Sequence, residues 1–240
     1  MGYDLHFYFD PVCPFAWLTS RWVRLVAEQR RYAVDWRFIS LRLLNAHVDY
    51  AAQFPSGYEA GHTAGLRLLR LAHRVREEHG REAVGPLYAA LGTRVFDRSP
   101  AEADEDPGGP GRPEFVAGVL TELGLPPALA GALDDADRDA ALRGETDEAL
   151  SLAGRDVGTP ILHFQPPHGV AFFGPVISRV PRGDDAVELW DHVVALAGFP
   201  GFAELKRSLR ETPQVRSFGV EEDEVGVEED WHGGSRRQHR

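Results

Sequence analysis

The chain of 240 residues contains one cysteine, Cys13, so it can form no intramolecular disulfide. Burial and hydrogen bonding alone must hold its fold, and thiol redox chemistry requires a thiol from outside. No apolar run approaches the roughly 20 residues that span a bilayer, which argues against a membrane-spanning helix. The opening MGYDLHFYFD lacks the basic region and long apolar stretch of a secretory signal, and Gly2 lacks the downstream hydroxyl residue of a myristoylation motif. Cytoplasm is the expected compartment. Positive charge is scarce: 26 Lys and Arg face 37 Asp and Glu, for a formal charge of −11, which would repel a phosphate backbone and argues against a nucleic-acid partner. The 10 histidines include no H-E-x-x-H or comparable spacing, and a sole cysteine excludes a multi-cysteine zinc site, so no metal is expected.

What is present is ordinary for a globular protein: 43% hydrophobic and 10% aromatic residues, enough for a sizeable core. Residues 4–10, DLHFYFD, alternate Leu5, Phe7 and Phe9 with other side chains, as a strand does. Residues 13–30 carry Phe15, Trp17, Leu18, Trp22, Leu25 and Val26 at helical spacing, with Pro14 in the first turn. A second strand at 34–41 completes a βαβ unit. Helical patterns then occupy 58–79, 82–98, 114–123 and 136–153, with an exposed loop at 101–113, AEADEDPGGPGRP. Strands return at 157–164 and 170–177 as a hairpin, and a helix is expected over 184–197. The order β-α-β, helical block, β-β-α is that of a thioredoxin-like α/β fold interrupted after its second strand. The expected division is residues 1–44 and 154–210 as the thioredoxin-like domain, 45–153 as a helical insertion, and 211–240 as an acidic, solvated and disordered tail, where Glu221 to Glu224 and Glu228 to Asp230 concentrate charge.

Cys13 stands between a strand and a helix. The positive end of a helix and its unpaired N–H groups favour a thiolate, so a lowered pKa and a nucleophilic role are expected; the competing reading is a small apolar packing residue. His6 and His163, both in strand patterns, are candidates to approach the Cys13 sulfur, or else are hydrogen-bonded core residues. Pro160, in VGTPIL, opens a strand either in trans or after a cis peptide that would expose the backbone of Thr159. Spacing leaves both open. Trp17 is a candidate cleft residue one turn beyond Cys13, or an inward-facing aromatic. His62 and Arg67 fall on an insertion helix and receive no role.

Taken together, FYFD, CPFAW, the helical block and the GTP before a strand resemble the DsbA-like branch of the thioredoxin superfamily over about residues 4–210. AFFGPVIS, ELW and GFAELKRS are similar to the mycothiol-dependent nitroreductase group, whose members are cytoplasmic and often dimeric. The resemblance implies that Cys13 is the attacking cysteine, Pro160 the cis-proline and Thr159 the residue presenting its backbone, with Pro14, Phe15, Trp17, Thr159 and Pro160 as the substrate-binding set. It implies a monomer or homodimer and a low-molecular-weight thiol, mycothiol or glutathione, as cosubstrate, with no tightly bound cofactor. The group usually carries C-P-W-C, whereas this chain reads Cys13, Pro14, Phe15, Ala16. Without a resolving cysteine, a mixed disulfide can be released only by a second external thiol, so a monothiol oxidoreductase acting on a small disulfide or electrophile is expected. The motif also resembles the S-P-aromatic-small pattern of kappa-class glutathione transferases and 2-hydroxychromene-2-carboxylate isomerases. A non-catalytic binding protein is the third reading, favoured if Cys13 is buried and inert.

Overall fold

The computed structural model describes residues 2–104, 109–207 and 209–230. Along the chain it runs β1 (Leu5–Phe9), α1 (Pro14–Arg30), β2 (Val34–Phe38), α2 (Leu41–Leu44), α3 (Tyr50–Gln53), α4 (Tyr58–His79), α5 (Val84–Phe96), α6 (Pro100–Asp104), α7 (Pro113–Glu122), α8 (Asp139–Ala153), β3 (Ile161–Phe164), β4 (Ala171–Phe173), α9 (Asp184–Gly198), β5 (Leu209–Glu211) and β6 (Glu228–Asp230). Short 3-10 turns link several of them. Four strands form one sheet in the order β2-β1-β3-β4. β1 and β2 are parallel, as a helical crossover requires, and β3 and β4 add as antiparallel neighbours with His6 opposite His163. The thioredoxin-like α/β architecture expected from the element order is the one observed.

Period-two alternation decides what each sheet face meets. Leu5, Phe7, Phe9, Trp36, Phe38 and Leu162 join one buried cluster with Trp17, Trp22 and Val26 of α1, Tyr88 of α5 and Trp190 of α9. Phe9 and Tyr88 stack with ring centroids 3.7 Å apart. On the opposite face Tyr8 and Ile161 pack against Ala149 and Leu150 of α8, and polar residues complete the layer: Arg37 bonds Glu148 at 2.8 Å, and Glu145 accepts from the backbone N–H of Phe38 at 3.1 Å. The helical block therefore shares its core with the sheet.

α4 matches the expected helix at both ends, where Gly57 precedes it and Gly80 caps it with φ of 86°. β3 starts later than expected, after the Gly-Thr-Pro turn, and β4 ends at Phe173 because Pro175 has no N–H for a ladder. α6 forms within the stretch expected as loop, and residues 105–108 of that stretch lie outside the described residues.

The largest departure is the C-terminal segment. Residues 211–230, expected as part of a disordered tail, fold back: β5 pairs with β6, the backbone N–H of Gln214 donates to the Ser178 carbonyl at 2.8 Å, and Val215 is buried. Arginines elsewhere in the fold partner its acids, as Arg179 does Glu211 at 3.0 Å and Arg182 does Asp223 at 3.2 Å. Residues 231–240 of the expected tail lie outside the described residues. No described helix is long and apolar enough to cross a membrane.

Candidate functional site

The loop between β1 and α1 is tied by one carboxylate. Asp10 is fully buried; its Oδ1 accepts from the Val12 N–H at 3.0 Å, and its Oδ2 accepts from the Leu41 N–H at 2.8 Å, joining the loop to the start of α2. Its backbone carbonyl takes the N–H of Cys13 at 3.1 Å. Burial pushes the Asp10 carboxyl up to about 7, against the two backbone N–H bonds that favour its anion. Gly65 of α4 makes room for this arrangement, since a Cβ there would lie 2.5 Å from Asp10 Oδ1.

Cys13 is the N-cap of α1. Its sulfur accepts from the Ala16 N–H at 3.4 Å and its thiol donates to the Thr159 carbonyl at 3.4 Å, 146 residues away. The expectation of a lowered pKa is reversed here. Cys13 is only 6% exposed, and burial pushes its thiol up to about 12; the N–H groups of Ala16 and Phe15 pull the other way, and the neighbouring Asp10 adds to the rise. Desolvation exceeds the helix-terminus effect, and the resting group is a protonated thiol.

Thr159 is buried, its hydroxyl donates to the Tyr8 carbonyl at 3.4 Å, and its peptide to Pro160 is cis. A cavity of about 2270 Å³ opens over this junction, with Val12, Cys13, Pro14, Phe15 and Thr159 in its wall. Opposite stand residues of the helical block, where Tyr50, Phe54 and Tyr58 stack in sequence and the His62 ring meets all three edge-on. Tyr50 Oη and His62 Nδ1 are 2.9 Å apart. The loop 174–179, the end of α9 and residues 210–213 complete the wall.

Of the expected set, Cys13, Pro14, Phe15 and Thr159 meet at this cavity, while Trp17 and Pro160 do not line it. Trp17 is buried between Tyr88 and Phe96, and its Nε1–H donates to Asp97 at 3.1 Å. Position 17 points inward because Gly92 of α5 leaves space for the indole. Pro160 is buried behind Thr159, its carbonyl accepting from Gly174 at 2.8 Å. His6 and His163 face each other with centroids 5.7 Å apart on the α8 side of the sheet, and neither bonds the Cys13 sulfur. Arg67 pairs with Asp134 at 2.8 Å. Reading the sequence missed Asp10 and the Tyr50 to His62 aromatic group. The signal for Asp10 was available: an acid that ends an apolar strand three residues before the cysteine. Among the described residues, no group of three or more His, Cys, Asp or Glu side chains could hold a metal ion.

The family model described as "Rv2466c-like: Mycothiol-dependent nitroreductase Rv2466c" matches residues 12–207. A relative in Mycobacterium tuberculosis, the uncharacterized protein Rv2286c, is 31% identical over 202 residues, covering 84% of this chain and 80% of that protein. A solved structure described as a probable DsbA oxidoreductase from Streptomyces coelicolor superposes with a TM-score of 0.52 at 15% identity, covering 94% of this chain and 99% of that one. At that identity the likeness speaks for the fold.

Proposed function

The chain belongs to the Rv2466c-like mycothiol-dependent nitroreductase family, and on that premise we propose that it is a cytoplasmic, one-cysteine oxidoreductase in which Cys13 carries a low-molecular-weight thiol as a mixed disulfide. The observation that carries this reading is the seat of the Cys13 sulfur, between the Ala16 N–H and the Thr159 carbonyl on the wall of the cavity. The Ala16 N–H supports the anion once the proton leaves, and the Thr159 carbonyl holds the proton until then. In the first step the Cys13 thiolate attacks a disulfide RSSR; the new bond joins Cys13 to one sulfur, and the other leaves as a thiolate and takes the displaced proton. In the second step an external thiol attacks the RS sulfur of the adduct, restoring Cys13 and forming a new disulfide, so each bond broken is matched by one made. Ala16 occupies the place of an internal resolving thiol, and the adduct persists until a second thiol arrives. Mycothiol is the first candidate, from family membership, and glutathione the second. Pro14, Phe15 and Thr159 contact the thiol and a small disulfide or electrophilic partner. A homodimer or monomer is the proposed state, distinguished by size-exclusion chromatography with light scattering.

Intact-mass measurement after incubation with oxidised mycothiol or oxidised glutathione tests the reading. A gain of one thiol, lost in Cys13→Ser, is expected. A second reading is favoured by one observation, that Cys13 is a protonated donor: its S–H then hydrogen-bonds a bound thiolate, as the serine hydroxyl of kappa-class transferases and 2-hydroxychromene-2-carboxylate isomerases would. Unchanged mass together with reduced-thiol binding, both preserved in Cys13→Ser, selects this second reading and removes the first.

A further inference from the structure

Residues 210–228 lie beyond the 12–207 stretch shared with the family, yet they supply part of the wall of the Cys13 cavity through Arg210, Glu211, Pro213 and Phe218. Their course is set by two anchors. At one, the Gln214 N–H donates to Ser178 O at 2.8 Å, and Glu211 receives the Ser178 hydroxyl and the Arg179 Nε–H, each at 3.0 Å. At the other, Arg216 donates to Asp97 O at 3.3 Å and pairs with Glu102 at 3.1 Å. The same two places hold the first turns of α1: Thr19 donates to Pro175 O at 2.9 Å and Trp17 to Asp97 Oδ1 at 3.1 Å. The 175–179 loop and Asp97 therefore bridge the segment to the helix that carries Cys13 at its N-cap. Between the anchors Val215 enters the main core cluster at 2% exposure. Arg182 fixes the far end of the segment through Asp223 at 3.2 Å and the Glu222 carbonyl at 2.9 Å.

We propose that this strap is a specificity wall of the Cys13 cleft, admitting low-molecular-weight disulfides and electrophiles and excluding protein-sized clients. The inference rests on Cys13 being the reacting group. A folded client must bring its own backbone alongside the cysteine loop and Thr159, and a strap that supplies part of the wall of that cavity narrows the approach a second chain would need. A small thiol disulfide requires only the cavity. The anchors divide the work: the exposed ion pairs are individually weak, whereas the Glu211 carboxylate, less exposed and held by two donors, and Val215 keep the strap docked.

The test compares full-length wild type, Glu211→Arg, Val215→Asp and the charge-swapped pair Arg179→Glu with Glu211→Arg. Each chain is labelled at Cys13 with iodoacetamide and, separately, with a polyethylene-glycol maleimide too bulky for the cavity, and the ratio of the two rates is the readout. In wild type the bulky reagent is strongly disfavoured. Glu211→Arg and Val215→Asp should each raise the bulky-to-small ratio at least about ten-fold by populating the undocked strap, and the charge-swapped pair should return it toward wild type. Ratios that stay at the wild-type value in Glu211→Arg and in Val215→Asp overturn the proposal, as does a high ratio in wild type itself. Should Val215→Asp fail to fold, the Glu211→Arg chain and its swapped rescue decide alone. Oxidised mycothiol and oxidised glutathione are each added to the same chains: absence of an adduct with both in an iodoacetamide-reactive protein rejects the mixed-disulfide reading and leaves the wall standing.

Discussion

Asp10→Asn changes one atom in a fully buried acid, and its effect should reverse in weight across the pH range. The Asp10 carboxyl is pushed from 3.8 up to about 7 by burial. Below about 4 the folded and unfolded chains both hold this proton. Between there and about 7 the folded chain retains a proton that the unfolded chain has released, so stability falls as pH rises, and the contribution is lost once pH passes the folded value. A rise of that size corresponds to about 4 kcal/mol between acid and mild alkali. Asparagine carries no charge to desolvate and removes this slope. It supplies one acceptor where the carboxylate supplies two, to Val12 N–H and Leu41 N–H, a loss of about 1 kcal/mol that offsets part of the gain. Near pH 4 the protonated acid is similarly short of one acceptor, so the two proteins should melt close together there. Near pH 8 the variant should be more stable by about 3 kcal/mol, or roughly 10 °C in a chain of this length. Thermal melts by circular dichroism across that pH range measure the difference directly. Melting curves for the two proteins that run parallel at all pH values, or a variant that is the less stable one near pH 8, would refute the reasoning and mean that the two N–H donors keep Asp10 ionised throughout. Since Asp10 also raises the Cys13 thiol, the variant should label faster with iodoacetamide at a given alkaline pH.

Three further outcomes follow from the same geometry. Cys13 labelling by iodoacetamide should climb about ten-fold per pH unit through mild alkali with no plateau before about pH 10, because the thiol is pushed up to about 12; a plateau below about pH 8 would restore the exposed thiolate. Gly92→Ala should destabilise by about 1–2 kcal/mol in urea titration: a Cβ there would stand 2.2 Å from the Trp17 ring, and overpacking at a buried indole outweighs the roughly 1 kcal/mol gained in helix propensity. His6 and His163 are both lowered, chiefly by burial, with Arg37 acting in the same direction. Their contribution is present above the unfolded value of 6.5 and lost as pH falls toward their folded values, so His163→Leu should flatten the acid limb of the melting profile; an acid limb as steep as in wild type would count against it.

How much of this was legible beforehand varies with the distance over which each feature is decided. The β1-α1-β2 unit and helix α4 are written in local pattern: alternation over Leu5, Phe7 and Phe9, a proline after Cys13, glycines at both ends of 58–79. The C-terminal segment reads as solvated because its acids stand close together in sequence, but two of them find arginines from elsewhere, Arg179 for Glu211 and Arg182 for Asp223, and Val215 between them enters the core. Trp17 reads equally well as cleft or core until Gly92, 75 positions later, is seen to leave it room.

Cys13 shows why the site was harder to read than the fold. Its place at the start of α1 is a local fact, and the helix terminus that favours a thiolate there is worth roughly 0.3–1 kcal/mol at an exposed position, about 2 at most in partly buried ones. The opposing effect is chiefly the surrounding packing, much of it from residues that sequence order places far away, which leaves the sulfur 6% exposed with its S–H donating to the Thr159 carbonyl; the nearby Asp10 adds to it. A rise from 9.0 to about 12 amounts to about 4 kcal/mol against the anion. The term that can be read from the motif is thus smaller than the term that cannot, and its sign is opposite. A position at a helix start therefore identifies which cysteine can be activated, whereas whether it rests as thiol or thiolate is decided by what closes over it; in this chain, opening the cleft, rather than changing CPFA, is the change that should release the nucleophile.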